Sequence, residues 1–232
     1  MSNKPGRMKW DQIGERLYEI GLDHGVLFPM NDDGKYAAGV PWNGLSAVNE
    51  TPSGGEPTPV WADNMKYLNL MSAEDFGANV EAYSYPPEFA ACDGDAEVAP
   101  GVTIGQQPRK MFGMSYRTLI GNDTMKQAYG YKIHLIYGGQ VSPSEKNRQT
   151  LNDSPEPSAM SWELSTTPVD VPGFQPTAHM VIDSTKTSKE KMALIEDIIY
   201  GKDAADGSEA IASRLPMPEE VIELLKDEVA AG

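Results

Sequence analysis

Three histidines, one cysteine and a short acidic run are the side chains here whose types could carry chemistry. His24, His134 and His179 lie far apart along the chain, and none belongs to the short paired spacing that binds zinc. Three such residues can still meet in a fold. Without a nucleophile motif, however, structural or exposed histidines are the expectation rather than catalytic ones. Ser115 sits in GMSYR, which lacks the second glycine of a nucleophile elbow. LIGNDTMKQ has neither the lysine nor the glycines of a phosphate-binding loop. Asp93, Asp95 and Glu97 alternate like the opening of a calcium loop, but Val98 stands where glycine is required and Ile104 where glutamate is required. A solvated acidic turn is expected there, with a weak cation site as the alternative. Cys92 is the only cysteine, which excludes an internal disulfide and a thiolate cluster. No basic neighbour lowers its pKa, so a small packed residue is expected rather than a nucleophile. Asn49, Asn122 and Asn152 match the glycosylation pattern. No catalytic residue, metal ligand or cofactor site is expected, and an enzyme is the weakest of the function classes.

The elements that would have to position any chemistry are mostly strands. At 232 residues the chain can bury one sizeable core, or one core with an appended arm. An apolar share of 40% and a charged share of 23% describe a globular protein rather than a disordered one. The segments around GVLFPM, YAAGVPW, VWADNMKYLNLMS, FGANVEAYSY, KMFGMSYRTLIG, GYKIHLIYGG and the region Ser158 to Thr185 have the β-branched and aromatic content of strands. In YKIHLIY, alternation puts Tyr131, Ile133, Leu135 and Tyr137 on one face and Lys132 and His134 on the other. Ile136 interrupts it, predicting a strand partly covered on both faces. Asn122 to Gly130 is expected as a hairpin loop, and Thr51 to Pro59, rich in proline and glycine, as an exposed loop. Helical spacing first appears in TSKEKMALIEDIIYG. There Thr187 and Glu190 make a capping box, Gly201 a C-terminal cap, and Met192, Leu194, Ile195, Ile198 and Ile199 an apolar stripe. A flexible linker then leads to a second amphipathic helix with Pro218 in its first turn. The fold class expected is mainly β, with residues 1–201 as one domain carrying helix 188–200. Residues 202–232 form a linker and helical extension.

Charge narrows the function classes. A formal net charge of -15 argues against gripping nucleic acid, since such binding runs on lysine and arginine releasing counterions. The N-terminus MSNKPGRMKW has no apolar run behind its basic residues, so neither a secretion signal nor an anchor is expected, nor any membrane segment elsewhere. A cytosolic start follows. From Thr51 to Pro100 nine acids face one base, whereas from Arg109 to Arg148 seven bases face two acids. Those segments can pair within one fold, meet head to tail between copies, or lie scattered on the surface.

Taken together, WDQIGERLYEIGLDHGVLFP, GVPWNGLSAVNETPSGGEPT, ADNMKYLNLMSAEDFGANVEAYSYP, APGVTIGQQPRKMFGMSYRTLIGND and NDSPEPSAMSWELSTTPVDV resemble the major tail protein of long-tailed phages infecting Gram-positive bacteria. The resemblance runs from about Trp10 to Gly201 and rests on no catalytic signature. It implies a tail-tube β-sandwich or barrel with a flanking helix, closing into hexameric rings that stack into a hollow tube of the virion tail, assembled in the host cytoplasm. It also implies a tape-measure protein and tail-end proteins as partners, and DNA passing through without specific binding. On that picture the loop at Ser53, Gly54, Gly55 and Glu56, with the N-terminal segment before Gly14 and the residues after Gly201, would contact the next ring. Asp63, Glu74, Asp75 and Glu81 are the candidate acids facing the lumen. The rival from another class is a β-sandwich module that recognises cell-wall carbohydrate, with Trp42, Trp61 and Trp162 as stacking platforms.

Overall fold

Among the residues described in the computed structural model, which are 7–146, 148, 150, 153, 157–204 and 209–226, the alternating segments become fourteen strands. They are β1 (Leu17–Pro29), β2 (Val40–Pro41), β3 (Leu45–Glu50), β4 (Ser53–Gly54), β5 (Pro57–Ala62), β6 (Met65–Met71), β7 (Glu74–Asp75), β8 (Gly77–Ala82), β9 (Ala96–Ala99), β10 (Val102–Ile104), β11 (Phe112–Asn122), β12 (Lys126–Val141), β13 (Met160–Thr166) and β14 (His179–Asp183). Helices are few: α1 (Ala90–Asp93), α2 (Lys189–Tyr200) and α3 (Pro218–Leu225). The mainly β class is as expected. Asn152, much of the polar excursion around it and part of the linker lie outside the described residues.

The principal sheet runs β2-β1-β11-β12-β13-β8-β3, antiparallel throughout, with β14 also on β12. Strand β12 is long enough to serve two neighbours on one edge. Lys132 to Ile136 pair with β14, and Gly139 to Val141 pair with β13. Between them Gly138 takes φ 58°, and a β-carbon there would stand 2.2 Å from the Thr167 carbonyl oxygen. Only glycine fits that bend. Strand β1 carries two register shifts against β11, near Gly21 at φ 76° and His24 at φ 52°. Such bulges sharpen a strand's twist, and the sheet curls until its far end returns to β1. There Leu45 of β3 lies over Gly25 of β1, where a β-carbon would stand 2.2 Å from the leucine side chain. The outcome is a barrel-like sandwich.

Two cores follow from that curl. Leu27, Met114, Tyr116, Ile136, Trp162 and Leu164 fill the inside with Phe89 and Cys92. Val26, Phe28, Ile133, Leu135 and Tyr137 point outward and pack under α2 and α3. Strand β12 therefore is covered on both faces, and Ile136 breaks the alternation because it belongs to the inner core. Each fully buried large apolar side chain contributes about 1.5–3 kcal/mol.

Helix α2 begins one residue later than the capping box implies. Ser188, not Thr187, is the cap, and its hydroxyl accepts from Lys191 N–H at 3.3 Å. Of the expected stripe, Met192, Ile195 and Ile199 are buried, while Leu194 faces solvent because it falls one position off the contact line. The described part of the C-terminal extension is docked. Leu215 and Val221 enter the outer core, and buried Tyr137 O–H donates to the Pro216 carbonyl at 2.9 Å. No helix among the described residues is long and apolar enough to cross a membrane.

Candidate assembly surface and a buried histidine pair

Residues 45–82 form one long hairpin whose base lies in the barrel wall, where β3 pairs with β8. Its waist is β4 on β7, with Ser53 opposite Asp75 and Gly54 opposite Glu74, and its arm is β5 on β6. Asp63 and Asn64 make the tip at φ 51° and 61°. Positive φ at both central residues is the type I′ turn that matches strand twist. The stretch Thr51 to Pro59, expected as a loop, is thus the ascending leg of this arm. Gly54 and Gly55 at φ 80° and 70° turn it between waist and arm.

The arm pairs with no other strand among the described residues. All seven residues of β6 are exposed. Trp61 and Tyr67 are each 67% exposed, Met71 73%, with Met65, Leu68 and Leu70 beside them. Its only charges are Asp63 and Lys66. A lone two-stranded ribbon is at best marginal in water, and its free edges are templates for another strand. A second apolar stretch, Met8, Trp10 and Ile13, runs exposed ahead of β1 and is tethered where Gly14 N–H donates to Asp123 Oδ1 at 2.9 Å.

The candidate site residues from sequence fall on different parts of this hairpin. Ser53 and Gly54 occupy the waist together with Glu74 and Asp75, while Gly55 and Glu56 lead from it to the arm, so two of the residues assigned to ring contact and two of those assigned to the lumen share one short ribbon. Asp63 is at the tip. Glu81 alone lies in a barrel strand, half-buried opposite Ser161.

Among the described residues the bases of 109–148 meet mostly acids that precede the acidic segment, and Lys146 alone joins the two segments. Arg117 holds Asp23 through two bonds of 2.8 Å and keeps that carboxyl below its usual range. Lys132 reaches Glu19 at 2.9 Å and Lys110 reaches Asp32 at 2.8 Å. Lys146 meets Asp93 at 2.5 Å and Asp95 at 3.8 Å. Asp93 is buried, not the solvated turn residue expected, because that lysine neutralises it. Cys92 beside it is packed as expected, and burial pushes its thiol up to about 12. Asn122 caps the β11–β12 turn, its side chain accepting from Met125 N–H at 2.5 Å.

What the sequence conceals is a meeting of two histidines. Strand pairing on β12 brings His134 Nδ1 within 3.2 Å of His179 Nε2. With ring planes only 10° apart and centroids 5.4 Å apart, the rings meet edge to edge, nitrogen to nitrogen. Glu50 Oε1 lies 3.7 Å from each of these nitrogens. Tyr116 lies flat against His134 and Phe76 against His179, each at 4.5 Å between centroids. Among the described residues this is the set of side chains able to hold a metal ion. Opposed strands hundreds of atoms apart in sequence carry the pair, so no local spacing could reveal it.

Burial, then the neighbouring His179, pushes His134 down to about 4, against the opposing pull of Glu50. Burial lowers His179 as well. Folded His134 therefore stays neutral down to about pH 4, whereas either imidazole protonates near 6.5 once the chain unfolds. The unfolded chain therefore binds more protons between these values, and folding stability, full above pH 6.5, is lost as pH falls toward 4. Chemical denaturation in chelator is expected to show a loss on the order of 3 kcal/mol over that window. His134→Phe should flatten the curve, and an unchanged slope would contradict the assignment.

Of the rival's stacking platforms, Trp42 and Trp162 are buried in the inner core and Trp61 alone is exposed. Compared with models of known protein families the chain matches none, and a comparison with curated proteins returns no match.

Proposed function

We propose that this chain is a self-assembling structural subunit of the phage tail-tube type, closing into rings that stack into a hollow conduit. The observation that carries the reading is the apolar, nearly uncharged arm left without cover in a subunit of charge -15. Copies of so acidic a protein repel one another, and their contacts must fall where charge is absent. The arm supplies such a place, and so does the apolar stretch before β1. A second copy is accordingly the occupant we assign to the arm. The whole-chain resemblance points the same way, with a tape-measure protein and tail-end proteins as further partners and DNA as passing cargo. An acidic bore suits cargo that must slide without being gripped.

Sedimentation velocity tests this. The sedimentation coefficient is expected to rise with concentration, and to rise further with added salt as repulsion between copies is screened. A single monomer boundary under all these conditions would overturn the reading. If that monomer were also retained on cell-wall polysaccharide, a carbohydrate-binding module with Trp61 at its contact would replace it.

A further inference from the structure

We propose that Glu50, His134 and His179 form a binding site for one divalent transition-metal ion, of the zinc class, at the seam of the barrel. Hydrogen bonding decides which atoms are free to act as ligands. Thr118 O–H donates to Glu19 Oε1 at 3.1 Å, a carboxylate held ionised by Lys132 at 2.9 Å. A hydroxyl has one proton to give. At 3.0 Å from His134 Nε2, Thr118 Oγ1 therefore accepts, and His134 carries its proton on Nε2. The Nδ1 lone pair is left facing His179. Fixing one ring nitrogen through an outer hydrogen bond is how ligand histidines are oriented.

The remaining geometry suits an ion. Tetrahedral coordination at about 2.0–2.1 Å spaces ligand atoms roughly 3.3 Å apart. The three atoms stand 3.2, 3.7 and 3.7 Å apart. Two imidazole nitrogens with one carboxylate favour zinc, cobalt or nickel over magnesium or calcium, which prefer oxygen alone. Glu50 is half-exposed and offers a path from solvent, whereas His134 is buried. Tyr116 O–H donates to Glu50 Oε1 at 3.1 Å and orients the carboxylate. The flanking rings of Tyr116 and Phe76 supply an apolar sleeve in which ion and ligand attract strongly.

In the metal-free chain His179 Nε2–H donates to His134 Nδ1. On binding, the His179 proton moves to Nδ1, both rings turn toward Glu50, and the ion takes the place of the shared proton. The proton count of the two rings is unchanged. The ion would tie β3, β12 and β14 together.

Cobalt is the probe of choice, because its visible absorption reports coordination directly. The full chain, freed of metal, is titrated with Co2+ and then with Zn2+ as competitor. The expected result is one Co2+ per chain, visible bands of low coordination number, displacement by Zn2+ and a raised melting temperature. Glu50→Gln and His179→Gln, both at partly exposed positions, should keep the melt of the metal-free protein and lose the visible bands. Thr118→Val should weaken binding about 10–100-fold. A folded wild-type chain that yields no such bands overturns the proposal, as do Gln variants that bind Co2+ as tightly as wild type.

Discussion

Replacing residues 58–70 by a two-glycine turn is expected to give a folded, soluble monomer that no longer assembles. The cut falls between Pro57 and Met71, which already face each other across the ribbon, so the turn closes without distorting the barrel. No buried residue is removed. The melting temperature should therefore stay close to wild type, as for surface changes generally. Association is another matter. Trp61, Met65, Tyr67, Leu68 and Leu70 would each release about 1.5–3 kcal/mol on full burial. Losing two such contacts weakens a complex by at least about a hundredfold. Sedimentation of the truncated chain beside wild type checks this, and wild-type assembly by the truncated chain would take the arm out of the account.

The largest effect on folding is expected at Trp162, which is 1% exposed. Its ring lies edge-on to Phe89 at 5.2 Å, Tyr85 at 5.7 Å and Trp42 at 5.8 Å, at the centre of the inner core. Trp162→Ala removes the ring and leaves a cavity, a change that costs about 3–5 kcal/mol. Against a typical total of about 5–15 kcal/mol that is a large share. In a chain of this size a fall in melting temperature of roughly 6–20 °C follows. Trp162→Phe should cost much less, because Trp162 Nε1 has no hydrogen-bond partner to lose. A Trp162→Ala melt within about 3 °C of wild type would show that the aromatic cluster does not hold the barrel together.

These two residue sets also show what could be read from sequence. Strands, the two-faced cover of β12 and the helix 189–200 were legible because alternation and helical periodicity are local signals, set by which side of one element must be apolar. Pro218 announced α3 for the same reason. The arm was half legible. Its β6 leg had strand composition, but its other leg, Thr51 to Pro59, carries proline and glycine that read as loop. Only the pairing of Pro57 with Met71 and Ser53 with Asp75 makes the two legs one hairpin. The docked C-terminal segment was hidden likewise, since linker composition does not reveal that Tyr137 waits to bond Pro216. Least legible was the histidine pair. His134 lies mid-strand and His179 opens another strand, and their contact depends on the register of β14 against β12. Register is a property of the folded sheet, not of either segment.

On the function we propose, the fold is a building block whose uncovered arm joins copies into a closed, hollow assembly. Electron microscopy of the full chain, concentrated stepwise, tests it most directly. The account predicts rings or hollow filaments of one rotational symmetry, growing in number with concentration and lacking in samples of the arm-truncated chain. Dispersed single subunits at every concentration, in wild type as in the truncated chain, would contradict it.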